Sequence, residues 1–127
     1  MTDAAAPRVL LIGLAPEAVD LSEAPIDYET LKARIAAGDA AVAAAGYEAI
    51  SCQLGTDPSE GEATVRARLG EGVWDAVMIG AGIRALPVHT ELFERIVNAV
   101  HELAPTARFA FNASPDTTLD ALARVLA

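Results

Sequence analysis

Trp74-Asp75-Ala76-Val77-Met78-Ile79-Gly80-Ala81-Gly82-Ile83-Arg84 is the stretch on which the reading of the fold turns. A strand is expected over about Asp75–Gly80, because Ala76–Ile79 is apolar without interruption. Continuous rather than alternating hydrophobicity marks a strand covered on both faces, as in a parallel sheet. The run ends in Gly80 and Gly82, and then delivers an arginine, Arg84.

Working back from that stretch, Arg8–Gly13 is a second continuous apolar run stopped by glycine, and it is the natural first strand. A long connection, Leu14–Ile26, follows, and Asp27 caps a helix expected from about Tyr28 to Ala45, with Gly46 as its stop. Leu31, Ile35, Gly38, Val42 and Ala45 recur at helical spacing and are expected to be its buried face. Tyr47–Leu54 mixes polar and apolar residues and reads as an edge strand. Ser59 and Glu62 form a capping-box pattern for a second helix that runs through Val65 and Leu69.

Forward of the opening stretch, Gly80–His89 reads as a loop. Thr90 is the expected cap of a helix carrying Leu92, Phe93, Ile96, Val97, Val100 and Leu103 on its apolar face, ended by Pro105. Arg108–Asn112 is the fourth strand, and Ser114-Pro115-Asp116 opens the last helix.

Strand–helix alternation repeated four times defines an α/β class: a three-layer α/β/α domain on a four-stranded parallel sheet. The two most apolar strands belong in the centre, and right-handed crossovers then give the order 2-1-3-4, a flavodoxin-like or Rossmann-like sheet. The second and third helices cover one face, while the first and last share the other. The fourth strand is left as an edge carrying Phe109 and Phe111, through which, or through its neighbouring helices, a homodimer is expected. Residues 1–7 are expected to be a disordered tail and residues 8–127 a single domain.

Composition narrows the function. Hydrophobic residues make up 53% and charged residues 21%, a balance that supports a packed core. The net charge of −9 leaves Lys32 and eight arginines as the only cations, which disfavours nucleic acid and anionic membranes as partners. No apolar run approaches the ~18–20 residues of a membrane span, the first residues lack a cationic start, and a single cysteine precludes an intrachain disulfide. A cytoplasmic protein is the expectation.

In an open parallel sheet, ligands bind outside the carboxyl ends of the strands where the strand order reverses. That places a crevice between Gly13 and Gly80, with Gly82, Arg84, Asn112 and Ser114 delivered to it. Arg84 is the proposed anchor for a carboxylate or phosphate, so the leading expectation is a binding module for a small anionic metabolite. The plainer alternative is a surface ion pair of Arg84 with Glu17, Asp20 or Glu91. His89 is the candidate acid/base for a rival reading as a small hydrolase or lyase, and a third reading is a ligand-free interaction domain.

Other patterns add no further site. Gly80-Ala81-Gly82-Ile83-Arg84-Ala85 matches G-x-G-x-x-A, but Pro87 interrupts the following helix and Asn112 stands where the acidic ribose ligand should, so no dinucleotide or other cofactor is predicted. Ser114, His89 and Asp20 or Asp116 make no credible triad without a G-x-S-x-G elbow. Cys52 reads as a buried inert thiol and His101 as exposed beside Glu102. Glu17, Asp20, Glu23, Asp27 and Glu29 lack metal-loop spacing and read as a solvated acidic loop, so no metal site is predicted.

Val77–Arg84, Leu92–Asn98 and Phe111–Asp116 together resemble a group of small uncharacterised bacterial α/β proteins of flavodoxin-like or Rossmann-like fold. That group has no established activity, so the resemblance implies neither a reaction nor site residues.

Overall fold

The computed structural model describes residues 6–22 and 25–126. Four strands, β1 (Arg8–Leu14), β2 (Glu48–Leu54), β3 (Ala76–Ile79) and β4 (Arg108–Phe111), form a parallel sheet in the order β2-β1-β3-β4. The helices are α1 (Tyr28–Ala44), α2 (Pro58–Leu69), α3 (Ala81–Arg84), α4 (Thr90–Leu103) and α5 (Thr118–Leu126). Order and layers agree with the pattern read from the sequence.

Side chains alternate across the sheet and divide the core in two. Leu10, Ile12, Leu14, Val77 and Ile79 face α2 and α4, where they meet Val65, Leu69, Leu92, Ile96 and Val100. Val9, Leu11, Ala76, Met78 and Ala110 face the opposite way, towards Val42 of α1 and Ala121 and Leu122 of α5. The two faces differ in side-chain size. A fully buried Leu, Ile or Val contributes roughly 1.5–3 kcal/mol, whereas alanine contributes little, so the α2/α4 face supplies most of the hydrophobic stabilisation.

Local chemistry shifted several element ends. α2 begins at Pro58, with the Asp57 carboxylate accepting from the Glu60 amide at 2.8 Å, so Ser59 is not the cap. An ionised cap followed by proline at the first helical position wins over the serine two residues on. Glu62, expected to reach back to that cap, instead accepts from Arg66 and from Arg95 of α4 and ties the two helices together. Gly80–His89 is not an open loop: it holds the one-turn α3 and a 3-10 turn at Pro87–His89. Thr90 lies inside α4, its hydroxyl donating to the Pro87 carbonyl at 2.8 Å, and His89 occupies the cap position.

α1 departs most from expectation. Asp27 does cap it, accepting from the Thr30 amide at 2.8 Å. Of its expected buried face only Gly38 and Val42 are buried; Leu31 and Ile35 are half-buried and Ala45 is exposed. The helix touches down at its middle, on the turn before α5. A Cβ added to Gly38 would stand 2.5 Å from the Pro115 carbonyl oxygen, so glycine is what allows that approach. Its first half stands off the sheet.

This seat predicts that Gly38→Ala lowers stability by about 1–3 kcal/mol through overpacking, although alanine is intrinsically the better helix former. Urea unfolding followed by circular dichroism measures it, and a neutral or stabilising result would show that α1 does not rest on Pro115.

Candidate functional site

The space left by α1 is a cavity of about 160 Å³ at the carboxyl ends of the central strands. Its floor is Leu11 and Gly13 of β1, Met78 of β3 and the adjoining Gly80, its roof Leu31, Ile35 and Asp39 of α1. Ser51 and Gln53 of β2 close one side; Asn112, Ser114, Pro115 and Thr118 close the other, and Gly82 and Val19 stand at the rim.

The cavity opens over Gly13, where β1 carries no side chain. Gly13 and Gly80 lie side by side, one residue beyond the paired Ile12 and Ile79, and the Gly80 amide donates to the Ile12 carbonyl at 2.8 Å. A Cβ added to Gly13 would meet nothing within 4 Å. Gly13 does not have positive φ, so its backbone does not demand glycine. At about 24 cal/mol per Å³, an unfilled void of this size would cost about 4 kcal/mol, and opening to solvent lessens that cost.

Asn112 holds the far wall. Its side-chain oxygen accepts from the Ala81 amide at 2.9 Å, and its nitrogen donates to the Thr118 hydroxyl at 3.0 Å. Thr118 in turn donates to the Pro115 carbonyl at 2.9 Å. Ser114 takes the cap position of a 3-10 turn, Pro115–Thr117, that runs directly into α5, and the Thr117 hydroxyl accepts from the amides of Ala113 and Ser114. The strand ends thus bring Gly13, Gly80, Gly82, Asn112 and Ser114 together around one cavity.

Arg84 is directed elsewhere and does not line the cavity. Its guanidinium donates to the Ile79 carbonyl at 2.7 Å and lies 5.1 Å from the centroid of the Phe111 ring, on the α4 side of the sheet. Partial burial lowers its pKa. No salt bridge joins it to Glu17, Asp20 or Glu91. Arg84 is the last residue of α3, and its contacts with Ile79 and Phe111 hold its side chain against the sheet. His89, 8% exposed, sits in the 3-10 turn that follows and also stays out of the cavity, so the two residues of the hydrolase or lyase reading share no pocket with the glycines.

Cys52 is buried, as its sequence context suggests, and burial pushes its thiol up to about 11, with Arg68 opposing and Glu71 adding in lesser degree. Asp20 accepts from the Ser22 amide at 3.0 Å, whereas Glu23 of the acidic loop lies outside the described residues.

Asp39 is the residue that sequence reasoning missed. It follows Ile35 by four positions and Leu31 by eight, a spacing that sets all three on one helix face, but a lone aspartate in an alanine-rich helix gave no chemical signal. Burial raises the pKa of its carboxyl, and a hydrogen bond with the Ser51 hydroxyl lowers it by less.

Comparison with protein-family models, with curated proteins and with solved structures finds no match. No described helix is long and apolar enough to cross a membrane.

The Asp39 shift carries a sign. A carboxyl whose pKa is higher in the folded state favours folding when protonated, and that contribution is lost as pH rises through the folded value. Asp39→Asn is therefore expected to raise the melting temperature at neutral pH. The gain should shrink to nothing as pH falls below about 4, where aspartate is protonated in both states. Melting curves of both proteins across that range test it, and a gain independent of pH would contradict the assignment.

Proposed function

We propose that this domain binds a small, mainly apolar molecule in the cavity between α1 and the ends of β1 and β3. The observation that carries the reading is the empty position at Gly13: an ordinary strand residue would fill the space, and glycine leaves it open. The cavity also occupies the place where ligands bind in parallel sheets of this order, outside the carboxyl ends at the reversal of strand order. Its size is that of apolar cavities of ~150 Å³ that accept benzene, so the ligand is a molecule of about one ring.

The ligand class departs from the anionic metabolite expected from the sequence. Asp39 is the only charged side chain among the described residues of the lining, and it carries the wrong sign for an anion. A cytoplasmic setting is part of the same reading, supported by the lone buried cysteine.

Single-ring compounds such as toluene, phenol and indole are expected to raise the melting temperature in a concentration-dependent way. The gain is about 2.7 kcal/mol at a hundred times the dissociation constant. Gly13→Val should fill the space, melt no lower than the wild type and lose the ligand-dependent rise. A wild type indifferent to every compound, or an undiminished response in Gly13→Val, would sink the cavity reading.

A second reading concerns the open β4 edge and rests on Phe111. Its ring is 38% exposed and stacks on Phe109, with centroids 6.1 Å apart and planes 7° from parallel. Pairing of two copies through this edge would cover it. Sedimentation at micromolar concentration should then give twice the monomer mass, and Phe111→Lys should restore the monomer; a wild-type monomer removes the proposal.

A further inference from the structure

The cavity has a polar end. Asp39, Ser51 and Gln53 reach it from α1 and β2, while Leu11, Met78, Leu31 and Ile35 supply the apolar remainder. No salt bridge reaches Asp39 among the described residues, although six others are formed elsewhere. A carboxylate beside an apolar space gives up part of its hydration, and among the described residues no cation pairs with it.

We infer that the ligand is a small primary amine on an apolar ring or chain, its ammonium group on Asp39 and its body over Gly13 and Gly80; this rests on the cavity reading above. The complementarity is in sign, number and size. An ammonium group brings the missing positive charge and carries three N–H donors with no acceptor. It meets the Asp39 carboxylate, the Ser51 hydroxyl and the side-chain oxygen of Gln53, three groups able to accept. The volume of about 160 Å³ admits a single ring beside that group. Burial raises the affinity of the Asp39 carboxyl for a proton, and an ammonium ligand would offset the same deficit of positive charge. Across the whole protein, the net charge of −9 favours the approach of cations over anions.

The test compares three single-ring probes of similar shape and different charge: benzylamine, benzyl alcohol and benzoate. Each is titrated at neutral pH into the wild type, Asp39→Asn and Gly13→Val, with affinity read by calorimetry or by amide chemical shifts. Benzylamine is expected to bind the wild type about tenfold or more tighter than benzyl alcohol, the range set by a charge-assisted hydrogen bond. Benzoate should bind weakest. Asp39→Asn, which is expected to be at least as stable as the wild type, should erase the preference for the amine and leave benzyl alcohol unaffected. Gly13→Val should weaken all three. Equal wild-type affinities for amine and alcohol, or an amine preference that survives in Asp39→Asn, would overturn the amine assignment while leaving the cavity reading standing. Failure of all three probes to bind the wild type would overturn both.

Discussion

The amide of Asn112 is the interaction on which the upper half of this domain depends. One side chain joins the start of α3, through the Ala81 amide, to the start of α5, through the Thr118 hydroxyl. Thr118 passes the connection to the Pro115 carbonyl, and Gly38 of α1 rests on that same carbonyl. Three helices are thus referred to one buried group at the end of β4. A neutral buried hydrogen bond contributes about 1 kcal/mol, but a buried donor left without its partner costs about 1–3 kcal/mol. Loss of Asn112 would leave the Ala81 amide without its acceptor and remove the donor to the Thr118 hydroxyl, which keeps the Pro115 carbonyl, so its effect exceeds that of a single bond.

With that wall fixed, the two faces of the sheet can take different tasks. The α2/α4 face is packed with branched aliphatic side chains and clamped by Glu62, Arg66, Arg95 and Glu102. The ion pairs are largely exposed and individually add little; the aliphatic packing stabilises this face far more. The α1/α5 face is built from smaller residues, and its helix α1 is rich in exposed alanine. A fold already held by one face can tolerate incomplete filling on the other. The cavity lies on the weaker face.

Much of the architecture was legible because it is written in repeated, redundant signals. Continuous apolar runs at Arg8–Leu14 and Ala76–Ile79, and the polar mixture of β2, were enough to place centre and edge. Five of the six candidate ligand-binding residues also met, since strand ends are fixed by the same signals. The placing of Arg84 was not legible because it depends on two local facts that have no periodicity: the single turn of α3 and the hydrogen bond to the Ile79 carbonyl. Asp39 was overlooked for the opposite reason. Its helix and face were readable, but its significance arises only from α1 standing away from the sheet, which is a tertiary outcome of Gly38 seating on Pro115. The start of α2 is legible in Asp57-Pro58 as well, since an ionised cap before proline outweighs the Ser59–Glu62 pattern.

The parallel arrangement also sets which end of the sheet holds the start of β1 and the finish of α5. β1 starts at the amino end of the sheet, where the Pro7 carbonyl accepts from the Glu48 amide and Arg8 is held by Asp75, Glu48 and the Trp74 ring. α5 starts beside the cavity and runs back against the strands, so Leu126 finishes towards that same end. Arg8 and Leu126 therefore lie at the end of the sheet opposite the cavity, and the mouth is framed by the strand-to-helix connections.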